Sequence, residues 1–154
     1  MGLFGFGKSK IDKRKKDWII ESIDWSNKGN ALAKLGKDEE AIECYNQVIR
    51  FNSKDPNAWF NRGNSLANLK KFEEAIACYD KALSLDSEDL RLWFNRGNSL
   101  ANLKKFEEAI TCFDKVIEKN PEYPSVLRYK GMSLKKLGRD EEAEHYFTKD
   151  KKLA

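Results

Sequence analysis

Few residues in this chain of 154 are of a type that does covalent chemistry, and their spacing argues against it. His145 is the only histidine and falls near the C-terminal end, where a surface place is expected. Cys44, Cys78 and Cys112 recur every 34 residues with no CxxC pair among them. That spacing suits neither a zinc site nor a disulfide framework, and it fits a reducing, cytoplasmic setting. The stretch Gly2-Leu-Phe-Gly-Phe-Gly7-Lys8-Ser9 matches the phosphate-loop pattern G-x4-G-K-[ST]. A phosphate loop needs a strand before it and an apolar helix after it. Here nothing precedes the pattern and IDKRKKD follows, so nucleotide binding is not expected. No catalytic residue, metal or cofactor is expected anywhere.

The side chains whose pattern does carry chemistry are amides. Asn57, Asn61, Asn64 and Asn68 stand at i, i+4, i+7 and i+11, one stripe of a helix. The corresponding stripes are Arg91, Asn95, Asn98 and Asn102; Ile23, Asn27, Asn30 and Lys34; and Ser125, Tyr129, Met132 and Lys136. Asn costs about 0.6 kcal/mol against Ala in a helix, so a ladder of them carries a penalty. Each amide offers both a donor and an acceptor, the two groups an extended peptide backbone presents. The ladder predicts a peptide-binding face with little sequence preference, with Phe60 and Phe94 supplying pockets for apolar side chains. Lys34, Arg91, Arg128 and Lys136 make that face mildly basic, which favours an acidic peptide. The plainer alternative is a solvated surface in which the asparagines are inherited or follow from recent duplication or consensus design.

These stripes need helices to hold them in line, and the chain supplies them by repetition. Residues Trp59 to Ile76 read WFNRGNSLANLKKFEEAI, and Trp93 to Ile110 read the same eighteen letters 34 positions later. Gly29, Gly63, Gly97 and Gly131 share the frame, as do Ala41, Ala75, Ala109 and Ala143, and the aromatics Tyr45, Tyr79, Phe113 and Phe147. Four units result, 22–55, 56–89, 90–123 and 124–154. Trp59, Gly63, Leu66 and Leu69 form the apolar stripe of a first helix, and Ala75, Ile76, Tyr79, Ala82 and Leu83 that of a second. Asp55 then Pro56 reads as an N-cap followed by proline at the first helical position, and Tyr123-Pro124 repeats the proline signal. Lys70-Lys71 forms the turn between helices, with Gly36 and Gly138 in its place in the outer units. A mid-helix glycine costs about 1 kcal/mol, so its recurrence predicts close helix approach. One hairpin cannot bury its apolar face but stacked hairpins can, so the fold class is all-α, a solenoid of antiparallel hairpins.

The pattern W-x3-G-x2-L…A-x3-[YF] at this period resembles the tetratricopeptide repeat (TPR) family, over residues 22–150. Trp59, Gly63, Leu66, Ala75 and Tyr79, and Trp93, Gly97, Leu100, Ala109 and Phe113 carry the match. Unit one departs at Asp38, where an aromatic is usual, and unit four has Leu127 for the tryptophan. The resemblance implies a right-handed superhelix whose concave face is lined by the first helices, in a four-repeat prokaryotic-type or consensus-like array. It also implies a protein-binding adaptor or scaffold and not an enzyme. One variant of the family grips a C-terminal carboxylate with five residues. Asn30, Asn61 and Arg91 match that set, but Ser26 and Asn95 stand where basic residues are required.

Charge divides the chain. Residues 1–17 hold six basic residues (Lys8, Lys10, Lys13, Arg14, Lys15, Lys16) against Asp12 and Asp17, and the remainder balances 23 basic with 23 acidic. A neutral body gives no electrostatic case for nucleic acid, so none is expected as a partner; any such attraction lies in the leader. Residues 1–16 are expected to be a disordered basic leader ahead of a repeat domain at 17–154, with the first helix starting near Asp17. Trp18, Ile19 and Ile23 are expected to cover the N-terminal edge. With Leu3, Phe4 and Phe6 the leader predicts weak contact with an anionic membrane; it also resembles a myristoylation start, with Phe6 in place of Ser or Thr. Self-association is the remaining alternative. Against end-to-end stacking stand Glu144, Asp150 and Lys151, polar where the other units are apolar, as in a terminal cap.

Overall fold

The computed structural model describes the backbone of residues 5–153 and the side chains of Lys13 and of residues 16–152. Among the described residues there are eight α-helices and no strand: α1 Gly5–Lys34, α2 Asp38–Phe51, α3 Pro56–Asn68, α4 Phe72–Leu83, α5 Leu90–Asn102, α6 Phe106–Lys119, α7 Val126–Lys136 and α8 Asp140–Leu153. Helices pack in pairs, α1 on α2, α3 on α4, α5 on α6 and α7 on α8, and each second helix packs on the first helix of the next pair. First helices also touch one another across units, α1 to α3, α3 to α5 and α5 to α7, whereas no two second helices do. The first helices therefore form the inner wall of an all-α solenoid.

The repeating small residues explain how closely each pair fits. A Cβ added at Gly63 would stand 2.6 Å from Cε1 of Tyr79, and one at Gly97 2.7 Å from Cε1 of Phe113. Glycine at these points lets an aromatic from the second helix lie flat on the first. Ala41, Ala75 and Ala109 are fully buried beneath them. Turns close as the sequence predicts: Gly36, Lys70, Lys104 and Gly138 all sit at left-handed φ between 61° and 74°. In the turn after α3, the Lys71 N–H donates to the Leu66 carbonyl and the Lys70 N–H to the Ala67 carbonyl, both at 2.9 Å. This satisfies carbonyls that the helix end would otherwise leave orphaned. Asp55 accepts from the Asn57 N–H at 2.9 Å, the expected N-cap, and Asp89 caps α5 in the same way, from the Arg91 N–H at 2.9 Å.

Three expectations change. Helix starts at Gly5 where a disordered leader up to residue 16 is predicted. The segment has no proline, and a helix already nucleated over residues 17–34 extends cheaply through Lys- and Arg-rich sequence. Of the pattern Gly2–Ser9, residues 2–4, and with them Leu3 and Phe4, lie outside the described residues, as do the side chains of the rest. Trp18, Ile19 and Ile23 are left largely uncovered, being 54%, 60% and 53% exposed. Only the last turns of α2, at Gln47, Arg50 and Phe51, come beside them. Finally, Pro124 does not begin α7. Ser125 intervenes at φ 63°, and the helix starts at Val126.

Candidate peptide-binding groove

The predicted ladder lines the inner wall, but its members are not equally available. In the half built by α1 and α3 the amides are tied into the protein. Asn30 Oδ1 accepts from the Tyr45 hydroxyl at 2.9 Å and from Asn61 Nδ2 at 3.1 Å. Asn64 Oδ1 accepts from the Tyr79 hydroxyl at 2.8 Å. Asn68 Nδ2 donates to Asp38 at 3.2 Å, and Asp38 is buried in the first turn of α2. Helix N-termini favour such a carboxylate. Asn30, Asn61, Asn64 and Asn68 come together with Lys34 around a hollow of about 270 Å3. Asn27 stands exposed on α1, outside this hollow.

In the half built by α5 and α7 the same residue types are looser. Asn95 Nδ2 donates back to its own helix, to the Arg91 carbonyl at 2.8 Å, and Asn102 Nδ2 likewise to the Asn98 carbonyl at 2.9 Å. Asn98 Oδ1 receives only a 3.4 Å contact from Asn102, because the aromatic beneath it is Phe113, without a hydroxyl. Among the described residues the Asn98 amide nitrogen has no partner. Asn98 and Asn102 line a second hollow of about 220 Å3 with Ala101, Phe106, Tyr129, Met132, Ser133 and Lys136. Met132 is 51% exposed.

The aromatic and basic candidates also divide. Phe94 is half-buried in a cluster, 6.0 Å from Phe113, 5.4 Å from Tyr123 and edge-on to Tyr129 at 5.2 Å. It packs the wall more than it opens a pocket. Phe60 lies 6.3 Å from Tyr79 and is roofed by the Arg91 guanidinium at 4.8 Å. Arg91 is otherwise committed: it pairs with Asp89 at 2.6 Å and reaches Asn57 Oδ1 at 3.3 Å. Its hydrogen bonds hold the Asp89 carboxyl below the usual carboxylate range. Arg128 is exposed and donates only to Ser125 Oγ, at 3.1 Å. Lys34 and Lys136 are exposed on the same wall.

A second column was missed by reading only the ladder. Arg62, Arg96 and Lys130 stand 34 residues apart, and each reaches the preceding unit. Arg62 Nε donates to Asn46 at 2.8 Å, Arg96 Nε to Asp80 at 2.6 Å and Lys130 Nζ to Asp114 at 2.5 Å. Each also donates within its own unit, Arg62 to Cys78 Sγ, Arg96 to Cys112 Sγ and Lys130 to the Tyr146 hydroxyl. These staples couple neighbouring units. The signal was in the register, where Asn46, Asp80 and Asp114 share one frame and Arg62, Arg96 and Lys130 another. The cysteines gain no nucleophilic character from it. Burial pushes the thiols of Cys78 and Cys112 up, and the neighbouring guanidiniums only partly oppose that.

Comparison with known proteins accords with this geometry. The family model described as tetratricopeptide repeat matches residues 56–89 and 90–123, and one described as TPR repeat matches residues 29–70. Among solved structures, the first TPR of Spaghetti (RPAP3) bound to the HSP90 peptide SRMEEVD is 27% identical, with a TM-score of 0.74 over 77% of this chain and 94% of that one. The second TPR domain of human RPAP3 in complex with the HSP70 peptide SGPTIEEVD is 27% identical, with a TM-score of 0.72 over 75% and 97%. MamA is 17% identical, with a TM-score of 0.82 over 99% and 95%, a likeness of fold alone. No curated protein matches the sequence significantly.

Proposed function

Because this chain belongs to the tetratricopeptide repeat family, we propose that it is an adaptor holding an extended peptide in the groove lined by its first helices. At the coarser level it is a protein-interaction scaffold and not an enzyme. The repeat domain in this reading is residues 17–154, and its cytoplasmic setting is supported by three free, buried cysteines. The observation that carries the groove reading is the α5–α7 hollow. It places an amide with unused hydrogen-bonding capacity, Asn98, beside exposed apolar surface, Met132, and a cation, Lys136. Few buried polar groups set among apolar surface is the usual composition of a ligand pocket. A peptide lying there pairs its backbone with Asn98, seats an apolar side chain against Met132 and Tyr129, and presents a carboxylate to Lys136.

Charge favours an acidic peptide, and the two RPAP3 domains carry peptides ending in EEVD. A grip on a terminal carboxylate is not supported. Ser26 and Asn95 are uncharged, Asn30 and Asn61 bond each other, and Arg91 is held by Asp89. The preferred ligand is therefore an internal acidic-apolar segment. Selection of peptides from a displayed random library on the full chain tests this, followed by titration of the best binder. Asn95→Ala/Asn98→Ala should weaken it roughly tenfold, the loss of one or two hydrogen bonds. Unchanged affinity in a variant with unchanged melting would remove the groove reading.

A further inference from the structure

α1 is 30 residues long, against 13, 13 and 11 for the first helices of the later units. The excess projects it about 25 Å beyond the array at 1.5 Å per residue. Where it leaves α2 it carries Trp18, Ile19, Ile20 and Ile23, all more than half exposed. Among the described residues only Leu35 and Met132 are comparably exposed large apolar side chains. A hollow of about 360 Å3 lies between this cluster and the end of α2, at Phe51 and Asn52. Concentrated apolar surface of this kind marks a docking face.

We propose that this face docks the protein on an anionic lipid surface. At about 100° per residue, Trp18, Ser22, Ile19 and Ile23 share one side of the helix and line that hollow, with Ile20 beyond its margin. Lys16, at i−7 from Ile23, flanks that side, and Lys13 lies further round the helix; both lysines are exposed. The carboxylates Asp17, Glu21 and Asp24, at i, i+4 and i+7, form an exposed stripe on the opposite side. Acid turned away from a face that carries isoleucine and lysine suits a negative surface. The sequence adds four more basic residues at positions 8, 10, 14 and 15, whereas residues 18–154 carry no net charge. Apolar insertion combined with basic attraction is the physics of interfacial helices, and tryptophan favours the headgroup level. No helix of the described residues is long and apolar enough to cross a membrane, so the contact is peripheral. A second copy fits this face less well. Self-pairing brings two basic segments together with the acids outward, and the groove wall of another copy is itself cationic through Lys34, Arg91, Arg128 and Lys136.

Flotation of the full chain at low salt tests this, with phosphatidylcholine vesicles with and without phosphatidylglycerol. Binding is expected only with phosphatidylglycerol. It should weaken about tenfold in Ile19→Asp/Ile23→Asp and by a similar factor in Lys13→Glu/Lys16→Glu. All four positions are exposed, so both variants should melt like the wild type. If the isoleucine variant melts early, the lysine variant alone decides. Absence of binding to the mixed vesicles overturns the proposal, as does binding that a normally folded variant leaves undiminished. A concentration-dependent dimer that Ile19→Asp/Ile23→Asp dissolves also overturns it, by naming a second copy as the occupant.

Discussion

Helices α3 and α5 share the run WFNRGNSLAN, at Trp59–Asn68 and Trp93–Asn102, yet their asparagines behave differently. Asn64 is fixed by the Tyr79 hydroxyl, and Asn98 has Phe113 beneath it. Asn68 is held by Asp38 of the preceding unit; Asn102, with Phe72 in that place, turns back to its own helix. Asn61 reaches Asn30 across the units, and Asn95 bonds the Arg91 carbonyl. The same ten residues thus give a closed half-groove and an open one. The difference comes from neighbours fifteen and thirty residues away. In the closed half the amides tie units together; in the open half they bond only within their own helix.

Alkaline titration should separate the halves most strongly, because buried phenols bond the asparagine ladder only in the closed half, through Tyr45 and Tyr79. Burial pushes the Tyr45 hydroxyl up to about 12 and raises that of Tyr79 as well. Unfolded tyrosine ionises near 10. The folded state therefore keeps protons that the unfolded state has released. Stability is full below about pH 10 and falls as pH rises through about 12, by up to about 1.4 kcal/mol per pH unit for each phenol. Urea melts across this range should show a shallower loss for Tyr45→Phe/Tyr79→Phe. The buried cysteines, pushed the same way, contribute a loss that starts lower and that both proteins share.

Asn64→Ala leaves the buried Tyr79 hydroxyl without its acceptor and should cost about 1–3 kcal/mol in a urea melt. Asn98→Ala should cost less than about 0.5 kcal/mol, as a part-exposed amide that leaves no buried partner unsatisfied. Equal losses would break the contrast. Phe113→Tyr sharpens it from the other side. The new hydroxyl, in the register of Tyr79, meets Asn98. A double-mutant cycle with Asn98→Ala should show coupling of about 1 kcal/mol, and peptide affinity should fall as the amide is captured. The smallest effect is a control on which the halves agree. Lys70→Gly and Lys104→Gly each relieve a left-handed backbone and should each stabilise by about 0.5–1 kcal/mol.

Much of the scaffold was legible because it depends on residues that repeat in register. The two-helix units, the Asp55 cap, the left-handed turns and the glycine–aromatic contacts all follow from local pattern. The availability of the ladder was not. Whether Asn64 or Asn98 is free depends on a hydroxyl delivered by the next helix, and only the packed pair shows that Oη meets Oδ1. The aromatic column read Tyr, Tyr, Phe, Phe, but without the packing that alternation looked conservative. Phe94 appeared as an open pocket because Tyr123 and Tyr129, which close over it, come from the following turn and unit. Pro124 misled because Ser125 takes a left-handed conformation before α7 begins. The start of α1 misled because apolar residues there were assigned an edge to cover, whereas only the last turns of α2 come beside them and they stay more than half exposed.

The central claim is that ligand meets the open half of the groove. The most direct measurement is the shift of asparagine side-chain amide resonances in the nitrogen-15-labelled chain, as a library-selected peptide is titrated in. The amides of Asn95, Asn98 and Asn102 should move, with those of Asn30, Asn61 and Asn64 nearly still. Shifts confined to Asn30, Asn61 and Asn64, or to the second helices, would contradict the account.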